Sequence, residues 1–375
     1  MTQVVDPLAA GMAALQARDM PRAAELLRRA AQTVPADAMP WVALANAELA
    51  LGQSEAAEQA IDRQLEQAFR DVGALLLKGL LRERAGDARA AVSFYRTAIA
   101  QAGVGGEVPP TLEQLMVHAQ GFLGQADGEF SSFLAEKLGQ DLSPAMSEAF
   151  ELLTGQRQLY FQQPAVFYYP GLAQRRFFEP SEFPWLADML ATVPAMQAEL
   201  AAVLADGAAG FDPYVQRQSH RPAPNNPLLD DEAWSACHFW RDGAIDRINA
   251  DRCPATMAAL ALAPMPRIAG RAPNAHWSRL KPGAHIAPHV GMLNCRLICH
   301  IPILTAPDCT LRVGSETRTW EPGVPLVFDD SIEHEARNAG AHERVVLLFE
   351  VWRPEIPEAD RQTIARMLEA IGAYG

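Results

Sequence analysis

Histidines are concentrated near the carboxyl end of this chain, among segments that are predicted to be β-strands. Six of the nine histidines lie in about the last hundred residues: His276, His285, His289, His300, His334 and His342. His289 ends one predicted strand and His334 lies in the polar turn DDSIEHE, so a closed sheet could bring both to one rim. Two neutral imidazoles suit iron(II). We therefore take this pair as the candidate metal site.

The residues next to this pair leave the site incomplete. A non-haem iron site usually adds a carboxylate two residues after its first histidine, and Gly291 occupies that position here. Four acidic residues flank His334 and could bind the metal, orient the imidazole or only stabilise the turn: Asp329, Asp330, Glu333 and Glu335. From the residues alone, two ordinary surface or core histidines remain an alternative.

The elements that must position these histidines are short strands. From about Asn274 onward, β-type runs alternate with turn signals, as in CRLICHIPIL, CTLRVGSETRTW and RVVLLFEVW. Five or more such strands favour an antiparallel sandwich or jelly roll. A helical segment at 185–204, broken or kinked at Pro194, precedes them, and a helix at 358–371 follows. We expect this domain to span 161–375.

Several spaced motifs resemble those of aspartyl/asparaginyl β-hydroxylases, in the family's order. They are WSxxxFWxxG (234–243), RCPxT (252–256), SxLKPGxHIxPH (278–289), HxGxxNCRLxxH (289–300), FDDSxEHExxN (328–338) and RxxxxxxVWxPE (344–355). The resemblance covers about half of the chain, from 167 to 355. It implies a double-stranded β-helix, the jelly roll of 2-oxoglutarate oxygenases, and in that family glycine replaces the third metal ligand.

Carried over residue by residue, the resemblance implies a ligand set. His289 and His334 would bind iron(II). The contacts to the cosubstrate 2-oxoglutarate would be Trp234, Ser278, His300 and Arg344. With O2, such a site would hydroxylate a C–H bond and release succinate and CO2. The guanidinium of Arg344 matches a carboxylate in a bidentate way that lysine would not reproduce.

Two positions depart from the family pattern. Better-known members have arginines where this chain has Ile298 and Leu229, and both help to hold acidic groups there. Arg296 remains, on the same strand face as Ile298 and His300 by the period of two, and is the candidate substrate-binding residue. These departures weaken the inference of an aspartate substrate more than that of the reaction type.

The first part of the chain is repetitive and helical. Alanine pairs at 23–24, 56–57 and 90–91 recur about every 34 residues, the period of tetratricopeptide repeats. We expect such a solenoid in 1–102, either as a groove for a protein or peptide or as a packing module only. A Gly/Pro break at 103–110 and further helical periodicity predict a helical cap or linker over 103–160. The whole chain is thus α+β.

Composition limits the classes of binding partner and indicates a cellular location. The net charge is −13, which disfavours nucleic acid and anionic lipid because both would be repelled. No apolar run is long enough for a membrane span and the start lacks a signal-peptide pattern, so a cytoplasmic location is expected. The five cysteines form no CxxC pair and are expected to be buried thiols.

The leading interpretation is an iron(II)- and 2-oxoglutarate-dependent dioxygenase that hydroxylates the β-carbon of Asp or Asn in a peptide or protein. Three alternatives remain open. The jelly roll could be catalytically silent in a repeat-based scaffold, the substrate could be an acyl compound or small molecule, or the histidines could serve a cupin-like isomerase or hydrolase.

Overall fold

The computed structural model describes residues 6–105, 110–139, 141–219 and 222–374. It divides into two compact units, residues 1–154 and 155–375. The first unit is helical and the second is built around two β-sheets, so the expected α+β class is confirmed.

The first unit consists of eight helices in its described part. They are α1 (Pro7–Gln16), α2 (Met20–Ala30), α3 (Trp41–Ala50), α4 (Ser54–Gln67), α5 (Val72–Arg84), α6 (Ala88–Gly105), α7 (Pro110–Leu138) and α8 (Pro144–Leu153). Helices α1 and α2, α3 and α4, and α5 and α6 pack as successive pairs. The second helices of these pairs begin at 20, 54 and 88, a spacing of 34 residues that matches the period of the sequence.

Small residues allow the paired helices to approach closely. The second alanine of each pair, Ala24, Ala57 and Ala91, is fully buried. Gly79 of α5 has the same role, because a Cβ placed on it would lie 2.5 Å from the Tyr95 ring of α6. The repeated small residues are therefore requirements of helix packing.

The helical unit continues past the boundary predicted at residue 102. Met116, Ala119 and Leu123 of α7 are buried in one cluster with Leu76 and Tyr95 of the repeats, so α7 extends their core. The Gly/Pro break falls largely on residues 106–109, which lie outside the described residues. The structure divides the units after Thr154, six residues before the predicted boundary at 160.

We expect Gly79→Ala to destabilise the helical unit by about 1–3 kcal/mol, because the added methyl overlaps a buried ring. Gly121 of α7 is the matched control, since a Cβ there meets nothing within 4 Å. Gly121→Ala should raise stability by about 0.5–1 kcal/mol through helix propensity. Chemical unfolding followed by far-UV circular dichroism measures both, and equal effects of the two changes would contradict the packing argument.

The second unit contains five helices and twelve strands in its described part. The helices are α9 (Trp185–Ala191), α10 (Val193–Ala205), α11 (Arg247–Arg252), α12 (Pro254–Leu260) and α13 (Glu358–Tyr374). The strands are β1 (Phe177–Phe178), β2 (Phe211–Pro213), β3 (Trp234–Arg241), β4 (Ala244–Ile245), β5 (Ala275–Leu280), β6 (His285–His289), β7 (Arg296–Leu304), β8 (Cys309–Val313), β9 (Glu316–Thr319), β10 (Leu326–Phe328), β11 (His334–Asn338) and β12 (Arg344–Trp352).

These strands form two antiparallel sheets. The larger has the order β1-β10-β7-β12-β5-β3-β2, with β4 added beside β3, and the smaller has the order β6-β11-β8-β9. Between β5 and β12 the chain passes repeatedly from one sheet to the other, which is the connectivity of a jelly roll. The double-stranded β-helix expected from the family resemblance is confirmed.

The helices preceding the strands pack on the outer face of the larger sheet. Met196 and Leu200 of α10 share one buried cluster with Trp277 and Leu347 of the sheet. The chain bends by 50° between α9 and α10, next to the expected kink at Pro194. This bent pair together has the length and hydropathy of a span, whereas no single helix in the described part of the chain does.

Candidate functional site

His289 and His334 lie side by side at the rim of the smaller sheet. His289 is the last residue of β6 and His334 is the first of β11, and the two are directly paired in the ladder. Their ring centroids are 4.1 Å apart. Antiparallel pairing thus places the two candidate ligands as neighbours, although 45 positions separate them in the chain.

The two imidazoles are held in the same way. Nδ1 of His289 lies 2.8 Å from the Ala287 carbonyl oxygen, and Nδ1 of His334 lies 3.0 Å from that of Ile332. Because a carbonyl only accepts, each Nδ1 donates, and each Nε2 keeps a free lone pair. Burial, with His289 nearby, lowers the pKa of His334 to about 3. His334 is therefore neutral at pH 7 and could bind a metal through Nε2.

The space beside Gly291 is occupied by the carboxylate of Asp330. A Cβ placed on Gly291 would overlap that carboxylate, and the Gly291 N–H donates to the Asp330 carbonyl at 2.6 Å. Oδ1 of Asp330 is buried and has no partner among the described residues. Asp330, weighed from the sequence as ligand, orienting residue or turn stabiliser, thus brings a carboxylate to the position from which the third ligand is missing.

Two histidines and one nearby carboxylate do not make a preformed cluster. No group of three or more His, Cys, Asp or Glu side chains in the described part of the chain is arranged to hold a metal. The donors still fit an iron(II) ion, because two free Nε2 atoms and an unpartnered buried carboxylate oxygen converge on one rim. Such a site would leave most coordination positions open.

Arg296 is partly buried, with 13% of its side chain exposed, and is paired with two carboxylates. Its Nη2 lies 3.1 Å from Asp330 Oδ2, and its Nε lies 3.1 Å from Glu350 Oε2. Glu350 in turn accepts from the backbone N–H of Asn274 at 2.7 Å. Arg296, the predicted substrate-binding arginine, therefore already has counter-ions, and its charge is neutralised within the protein.

Arg344, by contrast, is a buried cation without a counter-ion. It is 1% exposed, and none of the acidic residues that the structure describes forms an ion pair with it. Its Nη1 donates to the Ser278 carbonyl at 3.0 Å, whereas its Nε has no partner. Burial lowers its pKa to about 10, which still leaves it charged at pH 7. A buried guanidinium in this state is a site for an anion.

The indole of Trp320 connects Arg344 to His300. The guanidinium carbon of Arg344 lies 4.4 Å from the Trp320 ring centre, a cation–π contact. The indole N–H of Trp320 donates to Nδ1 of His300 at 3.2 Å, so the proton of His300 is on Nε2. That Nε2 is buried and unpartnered, and burial lowers the pKa of His300 well below its usual value. His300 thus offers one neutral N–H donor beside a cation.

The remaining predicted contacts lie around the same end of the barrel. Trp234 donates its indole N–H to the Ser278 hydroxyl at 3.4 Å. The Phe328 ring lies 5.0 Å from His300 and 5.6 Å from His334, and so links the cosubstrate residues to the histidine pair. The structure therefore brings together all four residues predicted to contact 2-oxoglutarate, next to the candidate metal ligands.

The two departures from the family pattern lie in apolar surroundings. Ile298 is buried in a cluster that includes Phe328 and Trp234. Leu229 forms an isolated bridge with Val215. Neither position brings a charged group to the site.

Trp320 is the residue that sequence reasoning missed. It follows β9 in a polar turn, and no motif spacing marks it as a contact of His300 or Arg344. Only the fold places its ring between them.

Comparison with known proteins finds a family to which the second unit is similar. A family model described as aspartyl/asparaginyl beta-hydroxylase matches residues 191–354. The chain is thus similar to this family over less than half of its length. The matched segment contains every site residue named above, from Trp234 to Arg344.

The named proteins to which this chain is similar are distant and matched in part. The human aspartyl/asparaginyl beta-hydroxylase is 34% identical over 134 residues, 35% of this chain and 17% of that protein. Aspartate beta-hydroxylase domain-containing protein 2 of mouse is 28% identical over 212 residues, 54% of this chain and 58% of that protein. The chain thus matches between about a sixth and three fifths of these relatives' length.

Among solved structures, an Arabidopsis OM64 TPR domain resembles part of this chain at 21% identity and a TM-score of 0.28. The match covers 32% of this chain and 93% of that domain.

We expect Gly291→Ala to reduce the free energy of unfolding by about 1–3 kcal/mol, because the new methyl overlaps the Asp330 carboxylate. In an Asp330→Ala background the same change should cost less than about 0.5 kcal/mol, since the obstructing group is gone. Chemical unfolding followed by tryptophan fluorescence measures this double-mutant cycle, because six of the seven tryptophans lie in the second unit. Additive effects of the two changes would contradict the contact.

Proposed function

We propose that the second unit is an iron(II)- and 2-oxoglutarate-dependent oxygenase that hydroxylates the β-carbon of an Asp or Asn side chain in a peptide or protein. The observation that carries this proposal is the buried, unpaired guanidinium of Arg344. It lies beside the free N–H of His300 and at the end of the barrel that holds the His289–His334 pair.

The cosubstrate end has the chemistry of a dicarboxylate site. Arg344 would bind one carboxylate of 2-oxoglutarate through its fork, and the hydroxyl of Ser278 would add a donor. His300 would donate from Nε2 while Trp320 fixes its tautomer. These residues lie on the inner face of a closed sheet, which excludes water and strengthens each contact.

The metal end would be held by His289 and His334 through their Nε2 atoms, with the Nδ1 hydrogen bonds fixing both rings. When bound, iron with 2-oxoglutarate and O2 supplies oxidative hydroxylation of a C–H bond, with succinate and CO2 released. The protein contributes orientation, charge and exclusion of solvent. The carboxylate of Asp330 beside Gly291, whose Oδ1 has no partner among the described residues, would accept a hydrogen bond from water in the site.

The family assignment supports hydroxylation of Asp or Asn, since the matched relatives are named for that reaction. The helical array of the first unit would bind a protein or peptide in its concave groove, the usual use of stacked helix pairs. A cytoplasmic location is part of the same proposal. In a metal isomerase or hydrolase that does not bind 2-oxoglutarate, the buried charge of Arg344 would have no counter-ion.

The decisive experiment incubates the full chain with iron(II), ascorbate and 2-oxoglutarate, with and without candidate peptides, and measures succinate. We expect turnover in the wild type and none in His334→Ala, which loses a metal ligand. His342→Ala is the matched control because His342 is exposed and outside the site. An absence of both turnover and 2-oxoglutarate binding in metal-loaded protein would refute the proposal.

Binding of 2-oxoglutarate should depend on the charge of Arg344 and, separately, on the tautomer of His300. We expect Arg344→Met to weaken it by about 100-fold, because charge-assisted hydrogen bonds are lost. Trp320→Phe should weaken it by about tenfold, since the ring remains under Arg344 while the N–H that orders His300 is removed. Equilibrium dialysis with labelled 2-oxoglutarate measures both, and an unchanged affinity in Trp320→Phe would exclude the positioning role.

A further inference from the structure

A row of side chains crosses the inner face of the larger sheet. In the strand ladders, His238 of β3 lies opposite His276 of β5, His276 opposite Leu348 of β12, and Leu348 opposite His300 of β7. Directly opposed residues in neighbouring strands face the same side of a sheet. His276 and His238 therefore face the same interior as the cosubstrate residue His300.

A cavity lies near the amino end of β5. The wall of this cavity of about 500 Å³ includes Asn274, Arg296 and Glu350. Asn274 immediately precedes β5, and His276 and Ser278 are inward positions of that strand, because side chains alternate along a strand. His276 is therefore two residues from the cavity wall and two residues from Ser278.

Both imidazoles of this row have unused hydrogen-bonding capacity. His276 is 2% exposed, and neither of its ring nitrogens has a partner among the described residues. Nδ1 of His238 is also buried without a partner. The two rings are 4.8 Å apart, and the Tyr214 ring lies 5.3 Å from His276. Buried polar atoms in folded proteins are nearly always paired, so these atoms mark a ligand site.

Both histidines are neutral at physiological pH. Burial lowers the pKa of His276 well below its usual value, with His238, Arg241 and Arg344 adding repulsion. Burial and Arg241 lower the pKa of His238 to about 4. A neutral imidazole offers one donor and one acceptor.

The charge of Arg296 in the cavity wall is not available to a substrate carboxylate. Arg296 is already bound by Asp330 and Glu350, and Ile298 is an apolar residue between Arg296 and His300 on the strand face. A substrate carboxylate would therefore find no free counter-ion in the Arg296 group.

We propose that His276 and His238 form the acceptor subsite and recognise an uncharged carboxamide of the substrate, as in an asparagine side chain, in preference to a carboxylate. This inference rests on the proposed function. A carboxamide presents one donor group and one acceptor, which complement two neutral imidazoles. A carboxylate presents acceptors only, so it would leave the lone pair of an imidazole facing a negative charge.

The test uses two pools of short fluorescent peptides that are identical except for one central residue, Asn in one pool and Asp in the other. Fluorescence anisotropy measures binding to the full chain, with and without iron(II) and 2-oxoglutarate. Mass spectrometry measures oxygen incorporation in the loaded protein. We expect the Asn pool to bind and react at least about tenfold better.

Three variants separate recognition from folding. His276→Leu should weaken Asn-pool binding about tenfold, whereas His276→Gln, which keeps a donor and an acceptor, should retain most of it. Both should bind 2-oxoglutarate within about twofold of the wild type, because the residues of that end are unchanged. Ile298→Arg should shift the preference toward the Asp pool by restoring a cation.

Different results would overturn the carboxamide subsite and the proposed function. Equal or better binding of the Asp pool, binding of neither pool, or an unaltered preference in His276→Leu would overturn the carboxamide subsite. Loss of 2-oxoglutarate binding in the wild type would instead overturn the proposed function, and the anisotropy measured without metal would still decide between Asn and Asp.

Discussion

The antiparallel pairing of β6 with β11 is the interaction on which the rest of the site depends. It places His289 opposite His334 and fixes both rings through backbone carbonyls, so the spacing of the candidate metal ligands is set by strand geometry. The same pairing brings the Asp330 carboxylate against Gly291, where a side chain would not fit. Glycine at this position is therefore a steric requirement of the rim as well as a missing ligand.

Buried charge divides the barrel into two ends. Arg344 has only a carbonyl and an indole ring as neighbours, which leaves its charge available to an anion. Arg296 is paired with two carboxylates, so its charge is not available to a ligand. Desolvated charges without partners are costly, so the first arrangement suits an anion, whereas the second is neutralised internally. The neutral side chains of His238 and His276 add no charge to either end.

The structure of the helical unit is determined mainly by contacts between helices that are neighbours in the sequence. Its repeat of 34 residues, its buried alanines and the close approach of Gly79 to Tyr95 all come from packing between neighbouring helices. Such contacts are short in sequence, which is why the period could be predicted. Helix α7 lies in the segment predicted as a helical cap or linker, but the contacts of its Met116 and Leu123 with the cluster of the earlier helices are tertiary.

The sequence by itself determined the α+β class, the repeat period and the strands of the jelly roll, because alternation and periodicity are local properties. Its ordered motifs predicted the candidate residues of both ends of the site. It predicted a free Arg296 where the fold has a paired one, and it gave no sign that Trp320 orders His300. Those features arise between strands distant in the chain. Charge pairing, tautomers and unpartnered atoms depend on which groups meet once water is excluded, and only the tertiary structure decides that.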